Sequence, residues 1–502
     1  MSFSDERLRS ARGGDAGGSN NLDAERAFEV CRTWCKRDGQ SRLNFLGVNL
    51  DDVLQVKVFE LLYPAAASVE AAGGWKNTLK KLDLDWTLKY AVSRVQSIGN
   101  GRSSDVWAVF DINNRSCIDM LNATAKELVK KGYSVGGLCV DPVVSQRIAV
   151  DVRSFSWVSE IPNVKSDVPV SSQRIKETFT RERDELYSNL VDEGVGEALA
   201  SKILKRVGRQ LDQLCREVIA LRALLRRYRP RLLLFANDAH RVPRIMTQLA
   251  RMEGIPTVSL QHGFPVWRYG YLPVFADRVL VWGDSSARWF QSMGTDEARV
   301  VVAGDPRRLN GGPSLTASAF PQNRRLFWLP NPVGRPIVQR FASRFFALAE
   351  NWTGGVCIKL HPSESGVEWY RSLIPASMIG RVDVSTAPLQ DCGLGYGDIV
   401  VVGNSTAGLD AVEAGALVIN LHHDSLPNPI DYTRYPVGVE GNLDTPTRSL
   451  LDSVLSIDSK SYSVARVAFL ADHFANFAHH NGTDGVVTQL CHELCPQDRP
   501  ES

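Results

Sequence analysis

RLLLFANDAHRVPRIMTQLARMEGIPTVSLQHG, residues 231–263, decides the architecture. An apolar run, Leu232–Phe235, precedes a stretch with helical spacing over 241–252, and a second apolar run, Thr257–Leu260, follows. Short apolar runs alternating with amphipathic helical segments are the pattern of βαβ units, from which parallel sheets are built. Downstream, Val279–Trp282 and Val300–Ala303 continue the series, each followed by glycine. Upstream, Val106–Phe110, a helical pattern over 117–132 ending at Gly132, and Ser134–Val140 make a further βαβ unit.

The spacing predicts a second series beyond residues 311–322, GGPSLTASAFPQ, whose Gly, Pro and Ser content marks an inter-domain linker. It comprises Leu326–Trp328, a helix at 336–351, Val356–Leu360, Val382–Val384, Ile399–Val402, a helix near 407–415, and Leu417–Leu421. Two βαβ series flanking a linker predict two doubly wound, Rossmann-like α/β domains facing each other across a cleft. The divisions expected are a disordered tail over 1–22, an α/β domain over 23–310, a second over 311–480, and a C-terminal helix and tail over 481–502. The first domain carries a mostly helical N-terminal segment, about Leu22 to Tyr90, a polar break at 97–105, and a long helical insertion over 171–228 that breaks near Gly194–Gly196.

Composition narrows the function. A chain of 502 residues exceeds one ordinary core, and its 44% hydrophobic and 23% charged residues are those of a globular protein. A formal net charge of +2 argues against bulk nucleic-acid binding, so no nucleic-acid partner is expected. The nine cysteines include i,i+4 pairs, Cys31/Cys35 and Cys491/Cys495, but no CxxC or zinc-finger spacing, which fits reduced thiols in a cytosolic protein. No run approaches the roughly 18–20 apolar residues of a membrane-spanning helix, and the N-terminus lacks a secretory h-region. The expected location is cytoplasmic. Any membrane contact would be peripheral, at the inner face, through the arginine-rich stretch 202–231, whose other reading is a solvated charged face on an amphipathic helix.

In open parallel sheets ligands bind at the carboxyl ends of strands. Five polar or glycine-bearing turns occupy such positions: Asn237-Asp238-Ala239-His240, Gln261-His262-Gly263, Gly304-Asp305-Pro306-Arg307, His361-Pro362-Ser363-Glu364 after Lys359-Leu360, and Gly403-Asn404-Ser405-Thr406-Ala407-Gly408. The last feeds a helix and sets hydroxyls and free N–H groups at its positive end, an anion site by construction or a plain N-cap. His361 can donate to a phosphate oxygen or protonate a leaving group, and serves equally well as a hydrogen-bonded surface histidine. His262 ends a strand of the first domain in a similar turn, with Gly263 allowing close backbone approach. Asp238 is a candidate general base, or the cap of the helix beginning near Arg241.

The ordered series QHG (261–263), VWGD (281–284), VVVAGDPR (300–307), KLHP (359–362) and GNSTAGLDAVEAGALVI (403–419) resembles bacterial surface-polysaccharide transferases of the GT-B type, covering roughly Leu232 to Leu421. The nearest are the capsule-type Kdo and sialic-acid transferases; the teichoic-acid polyol-phosphate transferases are similar. The resemblance implies that 23–310 is the acceptor side and 311–480 the nucleotide side. It implies that His361, Pro362, Gly403, Asn404, Ser405 and Thr406 grip the donor phosphate, with Asp410 or Glu413 on its ribose. Those families often carry an acidic cluster ending in glycine as the base, and Asn237-Asp238-Ala239, with one acid and no glycine, departs from it; by strand-end position the catalytic candidates are Asp238, His262 and His361, with Gln261, Gly263, Gly304, Asp305, Arg307 and Lys359 lining the cleft. The activity implied is transfer of a Kdo-like or nonulosonic acid from a CMP-activated donor to a saccharide, lipid-linked or other hydroxyl acceptor. The alternatives are a CDP-polyol phosphotransferase and a UDP-sugar transferase or epimerase of the same fold. No cofactor is expected, and since no Asp-x-Asp-like pair sits at a strand end, no metal is expected either.

Overall fold

Strands that are apolar on both sides persist only where helices cover both faces of a parallel sheet. A computed structural model describes residues 23–37, 40–63, 104–111, 114–139, 144, 147–149, 153–156, 168–265, 267–308, 319–331, 334–361, 364, 366–403, 405–423, 428, 430–475 and 482–495, and it contains two such sheets. The expected tail 1–22, the helical pattern over 64–90, the polar break at 97–103 and linker residues 311–318 lie outside the described residues.

The first lobe opens with α1 (Ala24–Thr33), two small two-stranded hairpins and α2 (Leu50–Leu62). Next come β1 (Val106–Phe110), α3 (Arg115–Lys130), β2 (Val135–Cys139) and β3 (Arg153–Ser156). A helical hairpin, α4 (Val168–Asp192) and α5 (Glu197–Tyr228), separates these from β4 (Leu232–Phe235), α6 (Arg241–Met252), β5 (Thr257–Leu260), β6 (Arg278–Val281), α7 (Asp284–Ser292) and β7 (Val300–Val302). The sheet runs β7-β6-β5-β4-β1-β2-β3, all pairings parallel. The direction of winding reverses between β4 and β1.

The second lobe contains β8 (Leu326–Leu329), α8 (Arg335–Ala349), β9 (Val356–Lys359), α9 (Val367–Ser372), β10 (Val382–Ser385), β11 (Ile399–Val402), α10 (Ala407–Ala414), β12 (Leu417–His422), β13 (Gly438–Asn442) and α11 (Thr447–Leu455). Its parallel order is β10-β9-β8-β11-β12-β13, with the reversal between β8 and β11. The sequence pattern leaves β3, β13, α7 and α9 unread. It placed the remaining strands of both sheets to within a residue or two.

α5 carries the arginine-rich stretch, and its packing has two sides. Ala200, Ile203, Leu204, Val207, Leu211, Leu214, Val218, Leu221 and Leu225 are buried, while Lys202, Lys205, Arg206, Arg209, Arg226 and Arg227 face solvent. One apolar stripe feeds the core, and the basic residues form the outer face.

The chain then returns to the first lobe. α12 (Ser459–His473) starts on the second, where the Tyr462 hydroxyl donates to Ala416 O (2.7 Å) and Arg466 Nε to Val412 O (2.8 Å). It ends on the first, where Arg288 Nη2 contacts both carboxylate oxygens of Asp472 at 2.7 Å. Gly283 permits this approach: a Cβ there would stand 2.5 Å from the His473 carbonyl carbon. α13 (Gly482–Leu494) then packs Val486, Val487, Leu490 and Leu494 into the core beside α3, so it belongs to the first lobe.

Candidate functional site

The switch point of the first sheet lies between the carboxyl ends of β1 and β4, where ligands gather in doubly wound folds. Asp111 directly follows β1 and its side chain is almost wholly buried; its Oδ2 lies 2.8 Å from Nδ1 of His240, which stands at the N-cap of α6. The carboxylate accepts from Nδ1–H, which fixes the tautomer and leaves Nε2 as the basic nitrogen. Asn237 Nδ2 is 3.4 Å from Nε2 of His240 and 3.4 Å from Nε2 of His262, so one amide spans both rings. Asn237 is itself oriented by Ala239 N–H donating to its Oδ1 (2.8 Å).

His262 stacks on Tyr271 with ring centroids 4.5 Å apart. Burial, with the neighbouring His240 and Arg307, depresses its pKa to about 3, so it stays neutral and accepts protons poorly. Asp238 departs from its expected role as base. It is 4% exposed, and its Oδ2 accepts from Phe275 N–H (2.6 Å) and Ala276 N–H (2.7 Å). Burial raises its carboxyl pKa above the usual range, and its Oδ2 is committed to pinning the loop before β6. It does not cap α6 either, since the N-cap there is His240 and no side-chain cap bond forms.

The other first-lobe residues are structural supports. Gln261 is 1% exposed, accepts from Trp282 N–H (2.9 Å) and donates to Gly263 O (3.0 Å), locking the ends of β5 and β6 together. Gly304 turns the chain with φ +104°, delivering Asp305 to a fully buried position. Burial would raise the Asp305 pKa, but Arg307 and Arg308 overcome this and hold it low. Arg307 binds Asp305 through Nε (2.9 Å) and Nη2 (2.6 Å), reaches Ser116 Oγ through Nη1 (2.5 Å), and lies over the Trp282 ring.

On the second lobe, the switch point between β8 and β11 presents α10. Thr406 takes its N-cap position with no side-chain cap bond, and Ser405 Oγ accepts from Ala407 N–H (3.3 Å). The Thr406 hydroxyl is therefore not consumed by the helix it precedes. Gly408 is required in the first turn, where a Cβ would fall 2.0 Å from the Tyr432 hydroxyl oxygen. His361 follows β9, its pKa lowered by burial and by Lys359. Lys359 is 7% exposed and donates Nζ–H to Leu360 O. β9 and β11 flank β8, so His361 and Ser405 share one sheet edge two strand spacings apart, about 10 Å. Pro362 and Asn404 lie outside the described residues.

Similarity to solved structures accompanies this arrangement. A glycosyltransferase from Rickettsia africae ESF-5 superposes with a TM-score of 0.50 at 10% identity, covering 80% of this chain and 100% of its own. The kitacinnamycin glycotransferase gives 0.48 at 13% identity (79% and 100%), and the UDP-GlcNAc 2-epimerase from Neisseria meningitidis bound to UDP-GlcNAc gives 0.45 at 12% (77% and 99%). The fold is GT-B-like. No protein-family model and no curated protein matches the sequence.

In this GT-B-like frame the two edges meet through charge. Arg308 of the first lobe lies 2.8 Å from Asp410 Oδ1 and also pairs with Glu413, both on α10. The two acids expected at a ribose are thus held by an arginine from the opposite lobe. Asp111 and the pairing of His240 escaped the sequence reading, although Asp111 directly follows the apolar run VWAVF and passes the same strand-end filter. Arg308 escaped because its partners lie about a hundred residues away. Among the described residues no group of three or more His, Cys, Asp or Glu side chains is placed to hold a metal ion, and no helix is long and apolar enough to cross a membrane.

Proposed function

We propose that this chain is a glycosyltransferase that moves a sugar from a nucleotide-activated donor to a hydroxyl acceptor, saccharide or lipid-linked. The observation that carries the reading is the Asp111–His240 pair at the first switch point, 2.8 Å apart, in a fold whose second switch point ends in the N-terminus of α10 with no side-chain cap bond. The acceptor O–H, taking the place of the 3.4 Å Asn237 contact, gives its proton to His240 Nε2 as its oxygen bonds the anomeric carbon, while the bond from that carbon to the donor phosphate oxygen breaks. Asp111 stabilises the imidazolium formed. The electron pair leaves with the nucleotide phosphate, whose charge is met by the α10 N-terminus, the Thr406 hydroxyl, His361 and Lys359.

The donor nucleotide in this proposal is CMP carrying a Kdo-like or nonulosonic acid, supported by the resemblance of KLHP and GNSTAG to the CMP-sugar families. Thermal unfolding with CMP, CDP, UDP and GDP tests it. At about 100 times its dissociation constant the true ligand stabilises by about 2.7 kcal/mol. CMP is expected to do so, and stabilisation by UDP alone would overturn the cytidine assignment. His240→Gln should keep nucleotide stabilisation while sugar transfer falls roughly 10²–10⁴-fold. Undiminished transfer would remove His240 as the base.

A further inference from the structure

We propose that Arg308 is a positioning residue that sets the spacing between the two lobes, and so between the proton acceptor and the phosphate-binding helix end; the second half rests on the functional reading above. Arg308 stands in the turn after β7, beside the fully buried Asp305 (3.4 Å) and over the ring of Phe474 (3.9 Å). From that seat it crosses to Asp410 and Glu413. Its side chain is only 19% exposed, against 55% for Asp410 and 29% for Glu413, so the cation is the more enclosed partner of the pair.

The surroundings explain why one side chain can matter. α12 is fixed at both ends, by Tyr462 and Arg466 on the second lobe and by Asp472 and the Ala475 N–H to Trp282 O contact (2.6 Å) on the first. It spans the two lobes and ties them at one side. Arg308 joins the lobes beside the C-terminal end of α12, over its C-cap Phe474, and it grips α10, the helix to whose N-terminus the functional reading assigns the donor phosphate. A planar guanidinium satisfying two carboxylates holds an angle as well as a distance, which a point charge cannot do. Binding at the α10 mouth and the lobe spacing are then coupled in both directions.

Small-angle scattering of the full chain without ligand, at low and high salt, reads the spacing directly. The wild type should expand as salt rises, since partly exposed ion pairs are screened. Arg308→Ala should be expanded already and insensitive to salt, Arg308→Lys should recover part of the compaction, and Asp410→Asn with Glu413→Gln should reproduce Arg308→Ala. Combining all three should add nothing further, because both sides of one interaction are already gone. CMP affinity should weaken about tenfold in the Ala variant with little change in melting temperature. Identical scattering curves for wild type and Arg308→Ala, or additive effects, would overturn the proposal. Scattering needs no nucleotide, so failure of CMP to bind any variant would fault the donor assignment alone.

Discussion

His262 shows how an environment assigns a task to a side chain. Burial, His240 and Arg307 hold its pKa at about 3, against an ordinary value of 6.5. Between those values the unfolded chain binds a proton that the folded chain refuses, so stability falls as pH drops from 6.5 toward 3. One such group contributes a slope of at most about 1.4 kcal/mol per pH unit. His262→Gln should flatten the pH dependence of unfolding free energy between about pH 6 and 4 by up to that amount, measured by denaturant titration. An unchanged slope would mean the ring is solvated. At this scale the sequence was informative about residue type and silent about direction. His262, His361 and Ser405 were found because polar residues after apolar runs land on a sheet's carboxyl edge. Nothing in ANDAH says that Asp238 turns toward residues 275–276 while His240 turns toward Asp111.

α10 is a short element with little freedom. Its C-terminus is closed by Gly415 at φ +92°, its last carbonyls are bound by Arg466, and its first turn lies against Tyr432. Gly408→Ala drives a methyl group into a buried phenol ring and hydroxyl, a form of overpacking that costs typically about 1–3 kcal/mol. The expected outcome is a lower denaturation midpoint together with weaker CMP binding by calorimetry, since the helix mouth must shift. Unaltered binding would detach α10 from the nucleotide. The helix itself was legible, because GNSTAGLDAVEAG carries a cap-like start and a glycine stop. Its lateral contacts were not, since Tyr432 and Arg308 reach it from distant parts of the chain.

Across the whole molecule, the two sheets were readable because uniformly apolar strands alternate with helical segments, a local pattern needing no tertiary knowledge. The return path was not readable. Helices α12 and α13 have ordinary amphipathic sequences, and only packing reveals that α13 closes the core beside α3. Truncation after residue 480 should expose the seats of Val486, Val487, Leu490 and Leu494. Loss of these four buried side chains, each worth about 1.5–3 kcal/mol, exceeds what a marginally stable domain tolerates. Circular dichroism should show a broad or absent unfolding transition, and a wild-type melting curve would contradict the assignment of α13. The same feature makes the first lobe discontinuous, with the entire second lobe inserted between its last strand and its final helix. On a ribosome the earlier-made lobe must therefore wait, its α3 flank uncovered, until the later-made one has emerged. Completion of the two halves is ordered by the threading of the chain, and a nascent chain stalled before α13 would present an unsealed apolar face to chaperones.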